Sequence, residues 1–577
     1  MYQDGNKYKL TDIQHKLFDK IVNAVDNYRY IFIEAPTGTG KTTSSIAATI
    51  KYLDMGYKIL YLCRSHSLSE KVVNIVKEEI FLRKAKHKIK VINLRGRHSI
   101  CPEYFGSNLC LVPCTYLGTR FECIYYNNLI SNFGQALTLF NRNKNKSFNE
   151  IIDILISNYY CPYYVIKEIT KESSFIVANY FYVLSGYSYN TYDILNIDPR
   201  NTILIIDEAH NIPMYTYDTN TIRINTDLTW KKLSVNKEGT HKIIEKALNL
   251  LTNLIYMQSK GVTVLEYISR YLNDIQDICL SLHHLIIQRY RKMKGIHKEE
   301  IGLIYSLLLA FEALLSDPLT YDIYAYDNNI IIHIKDISKY IWEKVSKFYK
   351  VLFISATLQP LLLLLEKEVS NRSDAFYISY TTLPSDIKLN IILIKGVSTR
   401  YRERSMTLFE TYYRILRRIL LKHEGPVIAF AASKSIIEGI RVCSKWDNNI
   451  VNMEETENIY IKREKKVYFF SQRGKWREGI DFDANVIAIV GLSYPYAAKE
   501  NRVRYMLVYG SKFRWVMLID SIVTAVQSLG RILRKSGEYH IYLIDDRFST
   551  RYCLSLMPKW IRKKLKIIHY NDFLVDN

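Results

Sequence analysis

The sequence predicts an α/β protein of two parallel-sheet lobes, with two insertions that interrupt the alternation of strands and helices. Short apolar runs rich in β-branched residues alternate with amphipathic stretches, as in repeated parallel β-α units. Several runs end in polar or glycine-rich loops, where open α/β sheets bind ligands. The predicted buried strands are Tyr30–Ile33, Lys58–Leu62, Thr202–Ile206, Val351–Ile354, Val427–Phe430, Val467–Phe470, Val486–Val490 and His540–Ile544.

Two zones break this alternation and are predicted to be insertions. Residues 95–165 lack strand periodicity and are rich in cysteine. Residues 225–340 show helical spacing, for example over Val264–Tyr271 and Cys279–Tyr290. The polar stretch Ser370–Asp386 is the predicted hinge between the lobes. The resulting boundaries are 1–90, 166–224 and 341–385 for lobe one, 91–165 and 225–340 for its insertions, and 386–577 for lobe two.

The charge balance favours a polyanionic partner. The chain of 577 residues carries 79 Lys and Arg against 57 Asp and Glu, a net charge of +22. An excess of this kind suits nucleic acid, although a generic basic surface stays an alternative on charge alone.

Hydropathy predicts no membrane partner. The longest apolar run, Ile301–Phe311, is shorter than the roughly 18 residues of a spanning helix and is predicted to be a buried helix. The N-terminus, Met1–Asp4, is polar and lacks the apolar core of a signal peptide. We expect a cytoplasmic protein, or a nuclear one in a eukaryote.

The first predicted strand leads into a phosphate-binding loop. Glycines let the backbone N–H groups wrap around phosphates, Lys41 would neutralise the β- and γ-phosphates of ATP, and the Thr42 hydroxyl would ligate Mg²⁺. The helix predicted from Thr43 to about Tyr52 presents its positive end to the anion. The nucleotide-binding residues predicted here are Ala35, Pro36, Thr37, Gly38, Thr39, Gly40, Lys41 and Thr42. Ala35 replaces the first glycine of the simple consensus.

An acidic motif, Asp207–His210, follows the predicted strand Thr202–Ile206. A carboxylate at such a strand end can hold Mg²⁺ while its neighbour orients the attacking water. We assign Asp207 to the metal ion and Glu208 to the water. A solvated strand end is the alternative, and the preceding phosphate loop argues against it.

With these two motifs in place, the sequence resembles the superfamily two helicases, and within them the XPD/DinG group with its DEAH box. Helicases of this superfamily often accept alanine at the position of Ala35. Ser493 stands where the group commonly has proline. Further segments that resemble the group's motifs are Gln14, Arg64–His66, Ser355–Leu358, Gly474–Phe482, Leu492–Tyr496 and Gln527–Arg534.

The resemblance implies two RecA-like lobes and additional site residues. Gln14 would read adenine, and Glu478 and Asp481 would contact the nucleotide. Gln527, Arg531 and Arg534 would be catalytic. Arg531 and Arg534 are three residues apart, so on a helix they would project from one face. An arginine delivered from the second lobe stabilises transition-state charge, contributes about 10³–10⁵ in rate, and makes hydrolysis depend on lobe closure.

Five of the nine cysteines lie between Cys101 and Cys161. Clustered cysteines in a reducing compartment favour metal ligation over disulfides. The resemblance implies a [4Fe–4S] cluster held by Cys101, Cys114, Cys123 and Cys161. Cys110 is the alternative second ligand, and Cys114 is favoured by its twelve-residue gap from Cys101. Four thiolates also suit structural zinc, but the absence of paired CxxC hairpins favours the cluster.

Taken together, the resemblance implies a monomeric ATP-dependent DNA helicase that translocates 5′ to 3′ on single-stranded DNA, with DNA repair as its expected role. Single-stranded and forked DNA and repair or transcription proteins are the expected partners, and the helical insertion corresponds to the group's Arch. Two alternatives stay open: an RNA-directed helicase or translocase, and a DNA-binding scaffold whose ATPase gates attachment.

Overall fold

The structure, a computed structural model, describes residues 12–36, 38–82, 89–102, 123–186, 192, 195–226, 238–291, 298–380, 387–444, 447–456, 461, 464–474, 482–495, 499–533 and 537–575. Predicted site residues that lie outside these ranges are Thr37, Cys110, Cys114, Glu478, Asp481 and Arg534. Gln14 belongs to the helix Asp12–Asn27, but its side chain lies outside the described part.

Strands are numbered in chain order. Their bounds are β1 Tyr30–Glu34, β2 Lys58–Cys63, β3 Val91–Leu94, β4 Phe175–Asn179, β5 Thr202–Ile206, β6 Ile222–Asn225, β7 Tyr321–Tyr326, β8 Asn329–Ile334, β9 Lys350–Ser355, β10 Ala375–Ser379, β11 Ile387–Lys395, β12 Val427–Ala431, β13 Ile450–Asn452, β14 Val467–Ser471, β15 Val486–Val490, β16 Gly537–Ile544 and β17 Leu565–His569.

Two seven-stranded sheets form the lobes. The first has the order β10-β1-β9-β5-β2-β4-β3 and the second the order β13-β14-β12-β15-β16-β11-β17. Every strand pair in both sheets is parallel. Apolar clusters cover both faces of each sheet, which explains why the central strands are continuously apolar. The α/β class and the two lobes are therefore confirmed.

Helices connect the strands and form the insertions. Their bounds are Asp12–Asn27, Lys41–Thr49, Lys51–Asp54, His66–Leu82, Ile124–Ser131, Phe133–Asn143, Phe148–Ser157, Pro162–Lys171, Phe181–Leu184, Ile212–Thr219, Glu238–Ser259, Val264–Arg270, Leu272–Arg291, Lys298–Ser316, Ile337–Val345, Gln359–Leu364, Glu366–Val369, Met406–Lys422, Lys434–Cys443, Lys499–Tyr509, Phe513–Leu529, Arg551–Leu556, Lys559–Arg562 and Tyr570–Val575.

All eight predicted strands are present, and the structure adds others. The apolar run Ile301–Phe311 lies inside the buried helix Lys298–Ser316, as predicted. The insertion at 225–340 is not purely helical, because β6, β8 and β7 form an antiparallel sheet at its base. Period-two patterning in these strands is masked by tyrosine and isoleucine on both faces.

The predicted hinge Ser370–Asp386 is partly wrong. Its residues Ala375–Ser379 form β10, which pairs in parallel with β1 at the edge of the first sheet. The run Ala-Phe-Tyr-Ile-Ser favours a strand, but it is short and has polar segments on both sides, so the stretch is predicted as a hinge.

The second lobe reaches across to the first through the helix Lys499–Tyr509. Its residues Tyr505, Val508 and Tyr509 join the core cluster of lobe one. Arg504 forms an ion pair with Asp218 of the lobe-one helix Ile212–Thr219. The two lobes are therefore joined by shared apolar packing and by an ion pair to the helix Ile212–Thr219, which follows the acidic motif in the chain. No helix in the described part of the chain is long and apolar enough to cross a membrane.

Candidate active site between the lobes

The phosphate loop folds around the side chain of Lys41. Gly40 caps the helix Lys41–Thr49 in a left-handed conformation, with φ of 79°. The buried Lys41 ammonium donates hydrogen bonds to the carbonyl oxygens of Ala35 at 2.7 Å and Pro36 at 3.0 Å. The loop therefore holds a positive charge at the helix N-terminus, where phosphate binding is favourable.

Lobe two packs directly onto this loop. Gly38 has φ of +84°, and a Cβ atom there would lie 2.9 Å from the carbonyl oxygen of Leu533 in lobe two. A side chain at this position would be strained and would push the lobes apart. The sequence requires glycine here for the interlobe contact as well as for phosphate approach.

The two acidic residues lie at the end of β5 in one buried unit. Asp207 Oδ2 accepts a hydrogen bond from the Tyr61 hydroxyl at 2.9 Å, and Asp207 Oδ1 accepts one from the Glu208 N–H at 3.0 Å. Glu208 has left-handed backbone, with φ of 48°, which turns its side chain away from the strand. The arrangement presents two adjacent carboxyl groups on the lobe-one side of the cleft.

The pKa values of Asp207 and Glu208 are shifted in opposite directions. Burial, with the nearby Glu208 charge, raises the pKa of Asp207 to about 6. Burial also acts to raise the pKa of Glu208, but contact with His210 and the charges of Lys41 and Arg531 outweigh it and lower that pKa. Adjacent carboxylates in a buried site suit a divalent cation, which offsets their repulsion.

His210 links the acidic motif to two other motifs. Its Nδ1 lies 2.8 Å from Ser355 Oγ, while its Nε2 lies 3.0 Å from the amide nitrogen of Gln527. Ser355 donates its own hydroxyl to the Thr357 carbonyl at 2.7 Å, so Ser355 Oγ accepts from Nδ1–H and His210 Nε2 accepts from Gln527. His210 was not among the predicted site residues. Its position at the end of the acidic motif Asp207–His210 is the sequence feature that indicates a role in the site.

Gln527 and Arg531 belong to lobe two and face this unit. Gln527 lies on the helix Phe513–Leu529, and the positive charge of Arg531 contributes to lowering the pKa of Glu208. The expectation that Arg531 projects from a helix face is wrong, because the helix ends at Leu529 with Gly530 as its C-cap. Glycine's low helix propensity explains the stop. A backbone hydrogen bond positions the chain at Arg531: the Arg531 carbonyl accepts from the Phe482 N–H at 3.0 Å.

Three of the predicted cluster ligands are described, and two of them stand at the starts of helices that contact each other. Cys123 and Cys161 each cap the N-terminus of a helix, Ile124–Ser131 and Pro162–Lys171. The Cys161 N–H donates to the Tyr125 carbonyl at 3.1 Å, which joins the two helix starts. Among the described residues no three Cys, His, Asp or Glu side chains converge on one point, so Cys101 does not complete a set there.

Comparison with known proteins supports a helicase. The family model described as DEAD/DEAH box helicase matches residues 11–103, DEAD_2 matches 61–228, and the helicase C-terminal domain matches 403–564. The chain is 24% identical to the ATP-dependent DNA helicase XPD of Sulfolobus acidocaldarius, covering 98% of this chain and 99% of that protein. It is 21% identical to the general transcription and DNA repair factor IIH helicase subunit XPD of Dictyostelium discoideum, covering 97% and 88%.

Solved structures show the same fold. A structure titled XPD_Helicase superposes with a TM-score of 0.62 at 18% identity, covering 98% of this chain and all of that one. The structure of S. tokodaii Xpd4 gives 0.54 at 15% identity, covering 97% and 100%.

Fold and matched families define the chain as an ATP-hydrolysing helicase with two RecA-like lobes. Both halves of the motor are represented, since the matches cover the phosphate loop, the acidic motif and the Gln527–Leu533 segment. Within this class, the chain is similar over nearly its whole length to the XPD/DinG group of superfamily two helicases.

Proposed function

We propose that this helicase acts on DNA, translocates 5′ to 3′ on the single strand, and serves DNA repair. The hydrogen bond between Gln527 and His210 carries the mechanical part of the proposal. The bond connects the lobe-two helix to His210, which contacts the Glu208 side chain. A structural change at the γ-phosphate would therefore be transmitted to both lobes. The DNA substrate, the polarity and the repair role rest on the resemblance to the group, together with the net charge of +22.

In this mechanism each side chain has a defined task. Lys41 neutralises the β- and γ-phosphates, and Thr42 and Asp207 are the side chains that would hold Mg²⁺, which supplies charge neutralisation when bound. Glu208 keeps a lowered pKa and is ionised at neutral pH, as orienting the attacking water requires. Arg531 approaches from lobe two and stabilises charge in the transition state.

The remaining predicted residues complete the proposal. Gln14 reads adenine, Glu478 and Asp481 contact the nucleotide, and Arg534 assists Arg531. A [4Fe–4S] cluster bound by Cys101, Cys114, Cys123 and Cys161 would brace the insertion at 91–165, and the backbone hydrogen bond from Cys161 to Tyr125, two residues after Cys123, supports it. The insertion at 225–340 serves as the Arch, with β6–β8 as its base.

One experiment tests the substrate and the polarity together. ATP hydrolysis is measured with single-stranded DNA and with RNA, and strand displacement is measured on forks that carry only a 5′ or only a 3′ tail. We expect stimulation by DNA and unwinding of the 5′-tailed fork. Stimulation by RNA alone would contradict the DNA assignment, and unwinding of the 3′-tailed fork alone would reverse the polarity.

A further inference from the structure

A strongly basic surface lies on the second lobe, at the sheet edge formed by β17. Residues 547–571 contain seven Lys and Arg and no Asp or Glu. Arg547 is committed to a buried ion pair with Asp545. The other six are exposed and define the lobe-two basic surface: Arg551, Lys559, Arg562, Lys563, Lys564 and Lys566.

This surface is not neutralised by its own protein. Across the part of the chain that the structure describes, these six side chains form no ion pair. Elsewhere exposed lysines often pair with acids, as Lys90 does with Glu172 and Lys339 with Glu343. Four of the six, Arg562, Lys563, Lys564 and Lys566, lie within five consecutive residues, so their charges repel one another, and this repulsion is relieved when a polyanion binds.

Aromatic side chains border the charges. Tyr552 is 66% exposed, and Trp515 supports it edge to face with ring centroids 6.1 Å apart. The Trp515 neighbour Arg514 accepts a hydrogen bond through its carbonyl from the Tyr494 hydroxyl at 3.3 Å. Tyr494 lies in the loop after β15. Tyr552 and Trp515 are therefore packed close to the loop that follows β15.

Two simpler explanations do not account for the whole patch. Lysine on an edge strand blocks pairing with other chains, which explains Lys566 but not the residues before β17. A protein partner is disfavoured because lysine is depleted in protein–protein interfaces. Exposed cations interleaved with a supported, open aromatic ring are the pattern that binds nucleic-acid strands.

We propose that the lobe-two basic surface is a second DNA-binding site, outside the cleft between the lobes, that holds the phosphodiester backbone while Tyr552 stacks on a base. The inference rests on the proposed function, since it takes the polyanion to be DNA. It adds an anchoring site for the single strand beyond the motor. Such a site increases affinity for long and forked DNA by linking two contacts on one molecule.

The test compares two triple variants with equal charge change. The first is Arg562→Gln, Lys563→Gln and Lys564→Gln. The control is Lys90→Gln, Lys171→Gln and Lys339→Gln, whose lysines are paired with acids. Binding to forked DNA, to blunt duplex and to a single strand of about ten nucleotides, the order of one binding site, is measured by fluorescence anisotropy over a range of salt concentrations.

For forked DNA we expect the first variant to bind at least about tenfold more weakly at moderate salt. The slope of log K against log salt should fall by about 2 to 3, since each phosphate contact contributes about 0.7 to 0.9. The control should change the slope by less than about one. The loss should be confined to DNA with a single-stranded tail, and an equal loss on blunt duplex would contradict stacking of Tyr552 on an unpaired base. Equal slopes in both triple variants would overturn the proposal and point to an acidic protein partner.

Single substitutions at Tyr552 test the same surface if the triple variant fails to fold. Tyr552→Ala should weaken binding to forked DNA about fivefold or more with an unchanged salt slope, because stacking releases no counterions. Tyr552→Phe should bind like the wild type. All variants should retain ATP hydrolysis stimulated by the short single strand. Loss of that stimulation in the first triple variant alone would place the surface on the motor's own track and refute a separate site. Wild-type protein that no DNA stimulates would instead refute the proposed function.

Discussion

The side-chain amide of Gln527 donates a hydrogen bond to Nε2 of His210 at 3.0 Å, and this bond joins the two lobes beside Glu208. His210 is buried and also contacts Ser355. A displacement of the lobe-two helix must therefore break this bond or move the acidic motif.

Replacing Gln527 by alanine should slow hydrolysis without preventing nucleotide binding. A hydrogen bond of this kind contributes about 0.5–1.5 kcal/mol, which corresponds to a roughly two- to tenfold loss in kcat. DNA-stimulated phosphate release measures the effect, and KM for ATP should stay within about twofold because the phosphate loop lies in lobe one. The control is Gln258→Ala, which removes a hydrogen bond to Asp322 in the insertion. A wild-type kcat in Gln527→Ala would show that the contact plays no part in turnover.

Lys41→Ala should abolish ATP hydrolysis and leave single-strand binding within a few-fold. Lys41 is held inside the phosphate loop by Ala35 and Pro36, away from the surface on which DNA should run. Phosphate release and fluorescence anisotropy measure the two properties. Lys51→Ala is the matched control, since Lys51 pairs with Asp26 at 2.6 Å beyond the helix that follows the loop. Near-normal turnover by Lys41→Ala would mean that the phosphate loop is assigned wrongly.

Anaerobically purified protein should contain iron and acid-labile sulfide. Serine in place of Cys101, Cys123 or Cys161 should remove both, because a hydroxyl is a poor substitute for thiolate. These variants should keep part of their ATPase activity but lose unwinding. Metal analysis, visible absorption and strand displacement test the three properties.

The same measurements decide the second ligand. Cys114→Ser should lose the cluster and Cys110→Ser should keep it, and the reverse result would exchange the two. Stoichiometric zinc without iron, in protein made under anaerobic, iron-replete conditions, would rule out the cluster.

Protonation of His423 should contribute to acid sensitivity of the second lobe. Burial, followed by the charges of His540, Lys422 and Lys465, lowers the His423 pKa to about 4. The neutral ring lies 2.8 Å from the Tyr542 hydroxyl. The folded pKa is below the unfolded value of about 6.5, so the stabilisation is complete above pH 6.5 and is lost as the pH falls toward 4.

Thermal unfolding between pH 7.5 and 5 tests this contribution. Solvent screening of the partly exposed ring limits it to about 1 kcal/mol, or about 2–4 °C in Tm for a lobe of this size. His423→Gln should show a shallower decrease of Tm with acidification than the wild type. His241→Gln, in the helical insertion, is the control and should follow the wild type. Identical pH profiles for His423→Gln and the wild type would contradict the assignment.

Local sequence determined the parts of the site that are continuous in the chain. A buried strand, a glycine-rich loop and Lys41 follow one another without interruption, and so do β5 and the Asp207–Glu208 pair. Strand hydrophobicity, glycine conformation and helix starts depend on near neighbours, so these elements could be predicted. The edge strand β10 was not predicted, because its five residues form one short apolar run between polar segments, and its pairing with β1 is decided by the sheet.

Tertiary structure alone decided how the separate motifs meet. His210 and Gln527 are 317 residues apart, and only the packing of the helix Phe513–Leu529 against lobe one brings them within hydrogen-bond distance. The close approach of Gly38 to Leu533 depends on the same packing. The sequence specifies that Gln527 is polar and that Gly38 can adopt a left-handed backbone. The contacts that these residues make follow from the way the two lobes pack against each other. That arrangement is set by long-range burial, which no local pattern encodes.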